Sequence, residues 1–396
     1  MSVTLSGGSG QPVVIPFDYG PSSATAQAFA ASSKAPTTYR GPGDQTPPPA
    51  TSDTPLLVSG TPTEAISTNG YLKVLINASS KVSVLGGTSN DVVVAGNSGI
   101  VYNTGGGSDT VIAGGGDNTI GTAAVASQSS SFFSTGAGND TIVSASGNNT
   151  VMAGGGFNQI SLNYGAGNNL VYSQGKDTIW SGGGSDTIGV GDSATVFGGS
   201  GNLRFIGGTG NSTVTAGSGS ATIFGGSGTG SFWGGAAGNN SITAADGQST
   251  VFTGGANSKA FAAGAGADTL VASAGNTTLS GGTSTGNNTF FAGTGDGVLV
   301  GGGVGNDTIF GGRGESTLFG GSGSDVFAFF NSQMKDNPGH KIIIGDFTVG
   351  QDKLVFDGYS NVSILLPQQD AGSTTLTLPD GTKIVLQGVS LTGNLG

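Results

Sequence analysis

The chain has 396 residues, of which 79 are Gly, while charged residues make up only 9% and the apolar set 35%. An ordinary globular domain carries roughly 25% charged residues and about 7% Gly, so a conventional compact enzyme is excluded, and collagen is excluded because Gly does not recur at every third position. Twelve basic residues against 23 acidic ones leave a net charge of -11, which disfavours nucleic acid and anionic membrane surfaces as partners and favours cations.

The chain has no Cys and a single His, His340, so disulfides, zinc-thiolate sites, His-based triads and the H-E-x-x-H zinc motif are ruled out. No stretch approaches the ~18 apolar residues of a membrane span. The Met1 region has neither the basic start nor the apolar run of a cleaved secretory signal. Membrane insertion is therefore not expected.

In chain order, residues 1–70 read as an extended arm. Ten of the 13 Pro lie at or before Pro62, and Ser and Thr are frequent around Pro47, Pro48 and Pro49. Residues 23–33 have the composition of a short helix, and 11–18 (QPVVIPFD) form an apolar extended segment.

From residue 71 to 330 the chain is expected to be a solenoid, and from about residue 82 it repeats a nine-residue unit. The unit is G-G-x-G-x-[D/N/S]-T followed by two apolar positions, as in TGGGSDTVI (104–112), TGAGNDTIV (135–143), AGAGADTLV (263–271) and GGSGSDVFA (320–328). The glycines permit a tight turn with positive φ, and the last three positions form a minimal strand with period-two alternation. One such strand buries nothing alone, so two nonapeptides make one coil and the coils stack in parallel. The spacing predicts about 13 coils, stacked ~4.7 Å apart. The eighth position (Val111, Ile120, Ile142, Ile188, Leu270, Phe327) is the inward ladder.

Residues 331–396 abandon the repeat. HKIIIGDFTVGQDKLVFDG, VSILL, TTLTL and KIVLQGV read as four or five strands of a small β cap, which a solenoid needs to cover its last open edge. The predicted fold is all-β throughout.

Of the 13 acidic residues between 82 and 330, eight occupy the sixth position: Asp91, Asp109, Asp140, Asp177, Asp186, Asp268, Asp307 and Asp325. Chance would put about one or two there. Backbone carbonyls of a glycine turn, an Asp carboxylate and the turn of the next coil together make an all-oxygen cage suited to Ca²⁺. Residues 18 apart should face each other, which pairs Asp91 with Asp109 and Asp307 with Asp325. The competing reading is that these Asp only cap turns. Elsewhere the sixth position is Asn (118, 149, 158, 169, 240, 288) or, between Asp186 and Asp268, mostly small and apolar residues; those turns are expected to hold by amide and backbone bonding without metal.

The segments GGSGSDVFAFF (320–330) and IIIGDFTVGQDKLVFDG (342–358) resemble the repeats-in-toxin (RTX) family of secreted calcium-binding β-roll proteins. The likeness is looser over 82–319 and does not extend to residues 1–70. It implies a parallel β-roll, Ca²⁺ in the turns, Asp346 and Asp352 as further candidate ligands, and type I secretion through an uncleaved C-terminal signal.

The ninth position places Trp180, Phe197, Trp233, Phe252, Phe291 and Phe310 on one side of the solenoid, either packed under neighbouring turns or exposed as a lateral interface. Thr at the seventh position reads as a β-propensity and hydroxyl ladder, with ice binding as the rarer use. The sequence thus reads as a non-catalytic, calcium-binding extracellular or cell-surface protein that polymerises with itself into a filament, surface layer or biofilm matrix, with extracellular polysaccharide admitted as a further partner. Val13, Val14, Ile15 and Phe17 of the arm would dock on a neighbouring copy. The alternative is a monomeric adhesin that binds carbohydrate or ice on its Thr or aromatic face.

Overall fold

The computed structural model describes residues 2–6, 12–16, 37–39, 56–68, 73–122, 129–144, 147–162, 165–273, 275–334, 339–359, 365–370 and 372–391. It is a parallel β-solenoid of about 14 turns with essentially no helix; among the described residues the exception is one turn at Asn331–Met334. None of the helices found is long and apolar enough to cross a membrane. The fold divides into two compact units, one up to Asn211 and one from Ser212 onward.

In the first unit each coil supplies one strand to each of two parallel sheets. Along one sheet Val93 aligns with Val111, Val111 with Phe133, and Phe133 with Val151. Along the other, Val84 aligns with Tyr102, Tyr102 with Ile120, and Ile120 with Ile142. All of these side chains are buried between the sheets. The apolar alternation of the triplet causes this: only its central residue points inward, while Thr110 and Ile112 on either side of Val111 stay half-exposed. Burying each such Val or Ile contributes about 1.5–3 kcal/mol, which no isolated three-residue strand could collect.

The stack also begins earlier than composition suggested. Leu56–Gly60 pairs in parallel with Lys73–Ala78, and Thr37–Tyr39 pairs in parallel with Leu56–Gly60; Leu56 and Val58 are fully buried. The segment lacks the glycine signature but keeps the inward alternation, and the alternation is what stacking requires. Pro12–Pro16 is extended as expected, and it pairs antiparallel with Ser2–Ser6, Val13 opposite Leu5 and Ile15 opposite Val3. The segment thus has a backbone partner within its own chain. Phe17 and the helix expected at 23–33 lie outside the described residues.

In the second unit two such ladders run through Phe232, Val251, Leu270, Phe290 and Ile309 and through Ile242, Ala260, Leu279, Val300 and Leu318. The region expected to be a separate cap prolongs them: Lys341–Ile344 and Lys353–Asp357 pair in parallel with Ser316–Gly321 and Val326–Phe330. Only Ser373–Thr377 reverses direction, antiparallel both to Leu365–Asp370 and to Lys383–Leu386, and the latter rejoins Lys341–Ile344 in parallel.

Between strands the chain turns on glycine. Gly107, two residues before Asp109, has φ +81°, and a Cβ there would stand 2.4 Å from the Ser89 carbonyl oxygen of the preceding coil. Any other residue would push the two turns apart.

Candidate metal sites in the turns

The sixth position of each nonapeptide sits where the turn enters the strand, and its side chain folds inward under the turn. All eight sixth-position Asp are at most 3% exposed. In the seven from Asp109 onward the first carboxylate oxygen does the same work in coil after coil: it accepts the main-chain N–H of the sixth residue one coil earlier. Asp91 N–H donates to Asp109 Oδ1 (2.9 Å), Asn118 N–H to Asp140 Oδ1 (2.8 Å), Asn158 N–H to Asp177 Oδ1 (2.7 Å) and Asn169 N–H to Asp186 Oδ1 (2.9 Å). In the second unit the spine runs Ser249 to Asp268, Asn288 to Asp307, and Asp307 to Asp325. The two pairs expected to face each other do so, and insertions elsewhere stretch the spacing to as much as 22 residues.

The second oxygen separates the eight into two groups. In Asp109, Asp140, Asp177, Asp307 and Asp325, Oδ2 is buried with no hydrogen-bond partner. In the other three it is satisfied by protein. Asp91 Oδ2 accepts from Thr68 Oγ1 (2.8 Å), Gly87 N–H (2.9 Å) and the Tyr102 hydroxyl (3.3 Å). Asp186 Oδ2 accepts from Ser181 Oγ and Gly182 N–H, and Asp268 Oδ2 from Ala263 N–H.

A buried carboxylate oxygen with no donor costs free energy unless it is neutralised. A hard cation with oxygen ligands fits that need. Among the described residues no three acidic or His side chains converge, so the remaining ligands would be main-chain carbonyls of the glycine turns. A family model for the RTX calcium-binding nonapeptide repeat, in four copies, matches residues 102–122, 130–160, 165–188, 197–232, 262–299 and 301–328.

The stacked nonapeptides are RTX calcium-binding repeats, and the cation is Ca²⁺. No curated protein matches the chain. All five Asp with a free oxygen lie inside the matched RTX segments, as do Asp186 and Asp268, whose second oxygens are satisfied by protein, whereas Asp91, closed off by Thr68 and Tyr102, lies before the first of them. In these five carboxylates one oxygen caps the neighbouring coil and the other has no hydrogen-bond partner.

Burial governs the titration of these groups. It pushes Asp109, Asp177 and Asp325 up to about 6 and Asp268 to about 7, against an ordinary value of 3.8; Asp140 and Asp307 are raised for the same reason. The Tyr102 hydroxyl is raised as well, by its own burial and then by the carboxylates of Asp109 and Asp91.

The tail carboxylates have other work. Asp346 accepts the N–H groups of Gly320 and Gly321, both at 2.8 Å, and Asp352 accepts Asp325 N–H (3.0 Å) and Thr348 N–H (2.8 Å). Every oxygen of the two is engaged, and Asp352 is the rung that ends the RTX spine.

Sequence reasoning missed Ser131, Ser258 and Tyr102. Ser131 Oγ takes the Asp109 N–H, and Ser258 Oγ takes that of Asn240. Nine-residue counting slips past Ser131 because its coil is 22 residues long. Only the three-dimensional pairing reveals the insertion.

The outward aromatics stack along each unit. Trp180 lies on Phe197 in the first (6.0 Å between ring centres). Trp233 lies on Phe252 (5.7 Å), Phe291 on Phe310 (4.5 Å) and Phe310 on Phe330 (5.4 Å) in the second, all within 19° of parallel. Phe197 and Trp233 remain the most open of the six, 41% and 38% exposed.

Proposed function

We propose that this protein is a secreted, non-catalytic structural β-roll, stiffened by Ca²⁺ outside the cell and built to associate with copies of itself. The observation that carries the reading is the set of five buried, unpartnered carboxylate oxygens. A fold that leaves them so is incomplete until a cation arrives, and extracellular Ca²⁺ supplies it. Asp109, Asp140, Asp177, Asp307 and Asp325 are the proposed ligands. The exposed rings of Phe197 and Trp233, with Phe157 at 65% exposure, support lateral association.

The adhesin alternative is weaker. Sugar binding on aromatics uses the ring face, and here the faces are stacked on one another. Electron microscopy of the purified chain tests the proposal. Ordered assemblies in Ca²⁺ that disperse in chelator are expected, and monodisperse particles in both conditions would overturn it.

A further inference from the structure

The Asn turns show how the chain closes a turn by itself. Asn118 Nδ2 donates to the carbonyls of Gly114 (3.1 Å) and Gly116 (2.9 Å), four and two residues back in its own turn, and to Asp140 Oδ1 on the next coil (2.9 Å). Asn149, Asn169 and Asn288 each donate Nδ2 to the carbonyl two residues back, at 3.0 Å. Asn158 donates to the carbonyl four back, that of Gly154, at 3.1 Å. Two of these amides also cross to the next coil, Asn149 to Asn169 Oδ1 (3.2 Å) and Asn169 to Asp186 Oδ1 (2.9 Å). Meanwhile the Oδ1 of each Asn keeps the interval contact that Asp makes, as when Asn158 accepts Asp140 N–H (2.9 Å).

We propose that the sixth-position amide is a built-in replacement for the cation, its NH₂ joining turn carbonyls to the next coil as a bound Ca²⁺ would in an Asp turn. Asp and Asn differ there by one atom of nearly equal size, an acceptor against a two-proton donor. Where the atom is nitrogen, the turn is complete. Where it is oxygen, in the five Asp named above, it is buried and unpartnered. The chain is therefore a mosaic of turns that need a cation, at those five Asp, and turns that do not, closed by an Asn amide or, at Asp91, Asp186 and Asp268, by other donors of the chain. The inference rests on the calcium reading only for what fills the Asp turns; the amide closure stands separately.

Asp140→Asn and Asn118→Asp in the full chain test it, with Asp140→Ala as the control. Asp140→Asn retains the Oδ1 that holds both donors of Asn118 and adds an NH₂. It should raise the thermal midpoint in chelator above that of the parent while lowering the calcium bound per chain in equilibrium dialysis. Asp140→Ala, which removes the acceptor, should lower the midpoint in chelator. Asn118→Asp should lower the midpoint in chelator, recover it in Ca²⁺ and increase the calcium bound. An Asp140→Asn protein as unstable in chelator as Asp140→Ala would overturn the amide closure. If Asn118→Asp folds only in Ca²⁺ but binds no more of it, the interchange is wrong. A parent chain that binds no calcium would defeat the calcium reading alone, and the chelator comparison of Asn with Ala at residue 140 would still decide this one.

Discussion

Asp140 spends a single carboxylate oxygen on both donors of Asn118, taking its main-chain N–H at 2.8 Å and its side-chain Nδ2 at 2.9 Å, while the other oxygen is buried with no partner. That asymmetry within one side chain joins structure to function. One oxygen keeps the coils in register, and the other leaves a charge to be neutralised.

Acid should substitute in part for calcium. Asp109, Asp177, Asp268 and Asp325 have folded values near 6 to 7, above the ~3.9 of an unfolded Asp. Between pH 4 and 7 the folded state therefore binds more protons than the unfolded state, so stability falls as pH rises. In chelator the thermal midpoint should climb as pH is lowered from about 7.5 to about 5 and level off near 4. Calcium affinity should move the opposite way, because protons compete for the same oxygens. A chelator-state midpoint that drops on acidification over this range would contradict the burial of these groups.

Register should outweigh charge. Asp325 holds the Asp307 N–H (2.8 Å) and carries a free oxygen, whereas Asp246 is exposed and outside the sixth position. In Ca²⁺, Asp325→Ala should lose about 2–3 kcal/mol or more, and Asp246→Ala no more than about 0.5 kcal/mol. Calcium-dependent thermal unfolding of the two variants makes the comparison, and equal losses would refute the ladder.

Chelator should loosen the chain unevenly. Residues 194–260 have Ser212, Asn240, Ser249 and Ser258 under their turns and none of the five free oxygens. Hydrogen exchange in chelator should open the turns around Asp109, Asp140 and Asp177 and around Asp307 and Asp325 first. Earlier exchange in 194–260 would count against the assignment.

The Asp91 turn should be indifferent to calcium, since Tyr102, Thr68 and Gly87 already serve its second oxygen. Tyr102→Phe removes one donor and should cost about 1 kcal/mol. Adding Ca²⁺ should recover part of that loss, which a calcium-titrated melting curve would show. A loss untouched by Ca²⁺ would mean that the hydroxyl only fills space.

Assembly is tested from two directions. Trp233→Asp places a charge at an exposed ring stacked on Phe252 and should reduce sideways association in sedimentation while leaving far-ultraviolet circular dichroism unchanged. Deleting residues 1–35, which removes the paired strands Ser2–Ser6 and Pro12–Pro16, should leave soluble, calcium-responsive monomers. Polymerisation of the truncated chain at the parent's rate would discard any role for the arm.

Much was legible in the residues themselves. The nine-residue period, the inward eighth position and the Asp at the sixth follow from local rules: glycine where φ turns positive, alternation where a strand is half-buried, a carboxylate where carbonyls gather. Each rule acts within a few residues, so it survives in a string of letters. What the string could not show was the partner one coil away. Leu56 and Val58 stack without any glycine signature, Ser131 enters the spine after a 22-residue coil, and Lys341–Ile344 continues a sheet that composition had closed. Eight Asp looked alike in sequence, yet five retain a free oxygen and three do not, because Thr68, Tyr102, Ser181 and the N–H groups of Gly87, Gly182 and Ala263 reach some carboxylates and not others. Hydrogen bonding is short-ranged and directional, so a donor's effect depends on stacking that brings it within about 3 Å, and that was decided only by the tertiary structure.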